Sequence, residues 1–392
     1  MYGDNMKKIV LTLFISFICI INIQALQNVE INSKNAILYN LNDNNVIYEK
    51  NSEEIVQIAS LTKIVTAITV IENVDDLQAQ VTITDDMIQG LDGYAKMGLK
   101  LGDELTYLDL LYALMLPSAA DAAQALAIST SGSIEKFVDL MNEEVKKIGV
   151  SNSKFDNPVG MDSENNYSTA SDLAKILIYS LENDTFKKIF NSNTYTIESI
   201  NKTVIKTLYS YSVDSSIIKG AKTGFTYEAG LCLASTSTIN NIDYLLITLG
   251  ADIDNYYHVL DTISIYKYYS TNYGYINILS KDQFIDTIKV KHSKTKTYNI
   301  YAKEDISLYL EKSIEGNLTY NYEGVKELNR KIKKGDKLGI VNVINNDKVI
   351  YTYDVYLDID IKYYNYALMI GVVFFLLVAI FILLIRKKHI KA

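Results

Sequence analysis

The chain has 392 residues, 48% hydrophobic and 21% charged, with a formal net charge of −8. That length holds two or three domains, and so apolar and aromatic a composition excludes a disordered or collagen-like chain. The acidic balance argues against nucleic acid as a partner, since phosphate neutralisation needs a basic face; three histidines and two cysteines leave little for a metal cluster or a His-based triad.

At the N-terminus, Lys7 and Lys8 precede an apolar run from Ile9 to Ile23, followed by Gln24 and Ala25. A charged start, a short apolar run and a small residue at its end predict a signal peptide over 1–25. The other reading is an uncleaved anchor; either one exports the chain. Cys19 falls in this segment, which leaves Cys232 alone in the remainder and excludes an internal disulfide there. Flanked by Leu231, Leu233 and Ala234, Cys232 reads as a small core residue.

From about 28 to 272, short strands alternate with amphipathic helices. Ala36–Tyr39 and Asn45–Tyr48 predict a hairpin, and Leu61–Val74 and Tyr107–Ile128 have helical periodicity, the latter broken at Pro117. Gly230–Thr236 and Tyr244–Leu249, joined through Asn240-Asn241, predict a second hairpin of buried strands. Over 276–360 the pattern changes to alternation with period two, as in Thr297-Tyr-Asn-Ile-Tyr and Lys348-Val-Ile-Tyr-Thr-Tyr. That predicts a small all-β domain, most simply a stalk or spacer, although its tyrosines could also stack on a glycan. Ala367 to Ile385 is uncharged over 19 residues, about 28 Å as a helix and long enough to cross a bilayer. Tyr363, Tyr364 and Tyr366 on its near side suit a membrane interface; Arg386, Lys387, Lys388 and Lys391 beyond it predict a cytoplasmic tail over 386–392.

Ser60-Leu61-Thr62-Lys63 opens an apolar helix, where residues i and i+3 share a face, so a lysine amine can meet a serine hydroxyl. Serine becomes a nucleophile when a base takes its proton, and lysine is that base once burial or nearby positive charge lowers its pKa. The spacing alone is weak evidence, because it recurs at Ser133, Ser151, Ser199, Ser216, Ser264 and Ser293. Context separates them. Lys222-Thr223-Gly224 is the one K-T-G in the chain and lies at the edge of the second hairpin, where a lysine and a hydroxyl can hold a carboxylate. Between the two motifs lies Pro117-Ser118-Ala119-Ala120-Asp121, whose serine can relay a proton. Asp121 reads as a cap for the helix that follows, Asp162 as a structural residue, and His258, His292 and His389 as surface residues.

Ser60/Lys63, then Ser118, then Lys222/Thr223/Gly224 is the ordered motif set of the penicillin-recognising serine enzymes. The longer stretches Ala59-Ser-Leu-Thr-Lys-Ile-Val-Thr-Ala67, Phe155-Asp-Asn-Pro-Val-Gly-Met-Asp162 and Lys222-Thr-Gly-Phe-Thr-Tyr-Glu-Ala-Gly230 resemble the serine-type D-alanyl-D-alanine carboxypeptidases, the low-molecular-mass penicillin-binding proteins. The resemblance implies an α/β (α+β) transpeptidase-like, β-lactamase-like domain over 28–272, with an antiparallel sheet flanked by helices. A β-sandwich over 276–360 and a transmembrane helix over 367–385 would follow. It implies acylation of Ser60 with Lys63 as base, proton shuttling by Ser118, and substrate binding by Lys222, Thr223, Gly224 and Phe225, with the N–H groups of Ser60 and Phe225 as the oxyanion hole. The implied partners are a peptidoglycan stem peptide ending in D-Ala-D-Ala, β-lactams as acylating inhibitors, and the membrane; no metal or organic cofactor is implied. One position departs from the family pattern, which usually has asparagine where this chain has Ala120. The alternatives are a related endopeptidase or β-lactamase, or a catalytically silent wall-binding module.

Overall fold

The structure is a computed structural model that describes residues 29–389. The expected signal segment, with Lys7, Lys8 and Cys19, lies outside the described residues, as do Lys391 and the side chains of Lys387, Lys388 and His389. The chain divides into two compact units, one ending at Thr271 and the other continuing from Asn272.

The first unit opens with β1 (Asn35–Asn40) and β2 (Asn45–Lys50), the predicted hairpin. A single 3-10 turn over Ala59–Leu61 runs directly into α1 (Thr62–Asn73). Then come β3 (Gln80–Thr82), β4 (Glu104–Thr106), α2 (Tyr107–Met115), α3 (Ala120–Ser131) and α4 (Ile134–Ile148). After α5 (Ala170–Glu182) and α6 (Asp184–Asn191), the short pair β5 (Thr194–Ile197) and β6 (Lys202–Ile205) leads to β7 (Gly220–Thr226), β8 (Gly230–Ile239), β9 (Ile242–Ala251) and α7 (Tyr257–Asn272). The main sheet is antiparallel, in the order β2-β1-β9-β8-β7, so the Lys222-Thr223-Gly224 segment occupies an edge strand.

Local chemistry accounts for the boundaries. Asn240 and Asn241 both have positive φ, which the two-residue turn between β8 and β9 requires and asparagine tolerates. The helical run over 107–128 divides because Pro117 has no N–H to donate; α2 ends before it and α3 begins after it. Thr106 starts α2 with a reciprocal capping box: its hydroxyl accepts from Asp109 N at 3.0 Å, and Asp109 accepts from Thr106 N at 2.9 Å. The first nine residues of α1 are buried, Lys63 among them. A helix enclosed on every side is a core helix, and α2 to α6 surround this one.

The second unit is β-rich. It contains β10 (Tyr273–Leu279), β11 (Phe284–Val290), β12 (Thr297–Tyr301), β13 (Ile306–Glu311), β14 (Leu318–Gly324), β15 (Glu327–Leu328), β16 (Lys337–Asn345) and β17 (Lys348–Tyr356). The sheets β12-β11-β15 and β14-β16-β17 share one apolar core built on Ile288, Ile300, Tyr322, Val341 and Val355, as the layers of a sandwich do. Helix α8 (Tyr366–His389) follows, and its Tyr366–Arg386 stretch has a mean hydropathy of 3.4 with no part of it buried. It is long and apolar enough to anchor the chain in a membrane.

Candidate active site

Ser60 sits in the 3-10 turn, and Lys63 lies three residues on in the first turn of α1. The Lys63 ammonium donates to Ser60 Oγ at 2.9 Å and to the carbonyl of Val159 at 2.5 Å. Of the seven S-x-x-K copies, this is the one, among the described residues, in which the lysine bonds its own serine hydroxyl. Elsewhere the partners diverge: the Ser133 hydroxyl accepts from Lys136 N as a helix cap, and Lys154 bonds Asn165 rather than Ser151. Lys63 is 1% exposed. That burial lowers its pKa from 10.5 to about 7, against the opposing pull of Asp121.

The Val159 carbonyl is delivered by a loop that Asn157 organises, its Oδ1 accepting from the N–H groups of Val159, Gly160 and Met161 at 2.7–3.1 Å. Gly160, at φ +87°, lies against the Ser60 turn so closely that an added Cβ would stand 2.1 Å from Ala59 O. From the other side, a Cβ on Gly224 of β7 would stand 3.1 Å from Ser60 N. Gly160 therefore leaves no room for a side chain, and at Gly224 a Cβ would sit tight against the backbone of the serine turn. Ala59 and Ser118 each hold a positive φ, +48° and +64°, the kind of strain that gathers at functional sites.

Ser118 projects from the α2–α3 connection and accepts from the Lys222 ammonium at 2.7 Å; the same ammonium reaches the Thr223 carbonyl at 2.7 Å. Burial and then the charge of Lys63 hold Lys222 well below the ordinary lysine pKa. The two lysines are thus electrostatic neighbours, although 159 positions separate them. The structure brings Ser60, Lys63, Ser118, Lys222, Thr223 and Gly224 to one locality. Phe225 is 45% exposed at its edge, its ring meeting Tyr227 at 5.4 Å. Such an arrangement can activate a serine hydroxyl, pass its proton along hydroxyl and amine groups, and receive a carboxylate on an edge strand.

Two expectations need correction. His258 is not a surface residue: it is fully buried, whereas His292 is exposed and bonds the Tyr366 hydroxyl at 3.1 Å. Asp121 does not cap α3: the N-cap is Ala119, without a side-chain cap bond, and Asp121 lies within the first helical turn. Its carboxylate accepts from Met97, Gly98 and Leu99 N at 2.7–3.0 Å, pinning the preceding loop, as well as from Ala122 N at 3.0 Å. Asp121→Ala should cost about 3 kcal/mol, because several buried N–H groups lose their acceptor; a lower unfolding midpoint and proteolytic cleavage near 97–99 would register it. Ala120 is fully buried, and its N–H donates to Ala95 O at 2.7 Å. Asp162 accepts from Thr226 Oγ1 at 2.7 Å, a structural tie between its loop and β7, and Cys232 is fully buried.

Residues 22–253 match the family model for D-alanyl-D-alanine carboxypeptidase (peptidase S11). The chain belongs to that family. Residues 273–363 match the C-terminal domain of penicillin-binding protein 5. Relatives include the carboxypeptidase DacF of Bacillus subtilis, 27% identical over 81% of this chain and 83% of its own length. A D-alanyl-D-alanine endopeptidase of Escherichia coli is 31% identical over 59% of this chain and 75% of its own. Among solved structures, the DD-transpeptidase of Streptomyces K15 superposes with a TM-score of 0.56 at 28% identity, covering 61% of this chain and 97% of that one. DacD of Francisella tularensis, at 20% identity and a TM-score of 0.67, shares the fold over 86% of this chain and 95% of its own. The chain is accordingly a serine-type D-Ala-D-Ala carboxypeptidase, a penicillin-binding protein that acts on peptidoglycan.

Proposed function

We propose that Ser60 carries the acyl group and that the terminal D-Ala of a peptidoglycan stem pentapeptide is the leaving group. Ser60 Oγ attacks the carbonyl carbon of the penultimate D-Ala while its proton passes to Lys63. The peptide C–N bond then breaks, and Ser118 returns a proton to the departing amine. Water hydrolyses the ester, giving the shortened peptide and free Ser60. Lys222 and Thr223 receive the terminal carboxylate, Gly224 allows the strand to lie close, and the N–H groups of Ser60 and Phe225 face the developing oxyanion. The observation that carries this reading is the 2.9 Å contact between a buried, low-pKa Lys63 and Ser60.

The wider plan is part of the proposal. An exported chain would lose residues 1–25 and present a catalytic domain (28–272) and a β domain (276–360) outside the cell. The helix over 367–385 would anchor it, with 386–392 in the cytoplasm. β-Lactams would acylate the same serine.

The test uses the full chain in detergent. Diacyl-L-Lys-D-Ala-D-Ala should release D-Ala, and benzylpenicillin should add its own mass to the protein, with the adduct mapping to the peptide that contains Ser60. An adduct on another residue would overturn the assignment. Release from a cross-linked dimer but not from the linear pentapeptide would move the substrate toward that of the endopeptidase relatives.

A further inference from the structure

Charge is unevenly placed in the second unit. The chain as a whole is acidic, yet the segments 291–296, 329–334 and 362–366 hold eight lysines and arginines and no carboxylate. Packing brings parts of all three together. Strands β11 and β15 pair in parallel, Lys289 with Glu327 and Val290 with Leu328, so the chain leaves both at one end of the sheet. There Lys291 N donates to Leu328 O at 3.0 Å, and Val290 N donates to Lys296 O at 2.8 Å to close the turn from β11 to β12.

The residues just before α8 are fastened to this same end. Tyr364 N donates to His292 O at 2.7 Å, the hydroxyl of the buried Ser293 donates to Lys362 O at 2.9 Å, and the Tyr363 hydroxyl donates to Asn329 O at 2.7 Å. The His292 ring bonds the hydroxyl of Tyr366, the first residue of α8, and the Lys296 ammonium lies 5.8 Å from the centre of the Tyr364 ring. Lys294, Lys296, Arg330, Lys331 and Lys362 are all exposed. Among the described residues none of these five forms an ion pair, whereas Lys291 meets Glu327 at 2.6 Å.

Like charges gathered without counter-charge repel one another in water, and a surface of opposite sign turns that cost into attraction. Tyrosines at the mouth of a span settle at headgroup level, and Lys296 lies over one of them. Each lysine or arginine held that close to an anionic leaflet is attracted to it within a Debye length.

We propose that this end of the second unit is a docking surface for anionic phospholipid headgroups, with Lys294, Lys296, Arg330, Lys331 and Lys362 meeting the phosphates around the point where α8 enters the bilayer. This rests on α8 anchoring the chain, as proposed above. The partner is the bilayer surface rather than a dissolved polyanion, because the turn that carries the cations is bonded to the aromatic residues at the start of the span. Docked in this way, the second unit is held to the membrane by its own surface as well as by its helix.

The test uses the full chain in nanodiscs of phosphatidylcholine alone and of an equimolar mixture with phosphatidylglycerol. Each lysine is acetylated by a water-soluble ester and read by peptide mass spectrometry, with Lys188, exposed on α6, as the reference. Lys294, Lys296, Lys331 and Lys362 should each react about fivefold more slowly in the anionic discs, and high salt should abolish the difference. The triple variant Lys294→Gln/Lys296→Gln/Arg330→Gln alters exposed side chains alone and should reduce the protection of Lys331 and Lys362 to about twofold or less. Equal labelling in the two discs would overturn the inference and leave the anchor standing. Equal protection in phosphatidylcholine discs by dissolved poly(glycerol phosphate) would also overturn it, assigning the surface to a soluble polyanion. A chain that enters discs of neither lipid would overturn the anchor, and the inference with it.

Discussion

Lys63→Met should lower acylation by penicillin and D-Ala release by at least about 10³-fold, yet raise the thermal midpoint. The loss follows from the proposed role of Lys63 beside Ser60: without the proton acceptor, general-base catalysis is forfeited at the step that makes the nucleophile. The gain follows from burial. Between pH 7 and 10.5 the unfolded chain carries a proton on this lysine that the folded chain releases, because the folded pKa is about 7. Stability therefore rises with pH across that window, and at neutral pH the lysine costs the fold on the order of 4 kcal/mol. Methionine removes that cost but leaves the Val159 carbonyl without its donor, which returns about 1–3 kcal/mol. A net gain of a few kcal/mol corresponds to several degrees in Tm. Stopped-flow acylation and a thermal melt on the same protein would check both arms; a lower Tm would refute the burial argument. In wild type, acylation should rise with pH through about 7 as Lys63 loses its proton, and the Met variant should lack that limb.

Gly160→Ala should show the second largest effect, and for a steric reason. The position has φ +87°, and its new Cβ would fall 2.1 Å from Ala59 O and 3.0 Å from Ser60 N, both backbone atoms that cannot rotate away. Relief requires the loop or the Ser60 turn to move. Backbone strain and overpacking each cost roughly 1–3 kcal/mol, so a loss of about 3–5 kcal/mol is expected. Displacing Ser60 and the Val159 carbonyl should also slow acylation more than about 100-fold. Folded protein that retains full acylation would show that the loop is not held against the serine as described. A matched Gly90→Ala control, at φ +72° with no atom within 4 Å of the new Cβ, carries the conformational strain without the clash.

How much of this was legible in advance depended on whether the cause was local. The hairpin turn at Asn240-Asn241 was readable because left-handed φ is a conformation asparagine itself tolerates. The break at Pro117 is local too. Strand β16 offered no alternation to read, since neighbouring residues of Val341-Asn342-Val343 are buried on both faces. His258 is hidden from such a reading for a related reason: α7 has little amphipathic contrast around it, and its ring packs against Tyr211, 47 positions earlier in the chain.

The candidate site divides along the same line. From the sequence came the i, i+3 reach of Ser60 and Lys63, the order of the three motifs and the apolar helix after 366, all short-range patterns with a single physical reading. The order of the motifs already set the first of seven S-x-x-K copies apart; tertiary structure supplied its chemistry by placing Lys63 against the Val159 carbonyl, 96 residues away, and burying its amine. It also set Lys222 beside Ser118, 104 residues away. A lysine becomes a base through what surrounds it, and those surroundings are assembled only when distant segments pack.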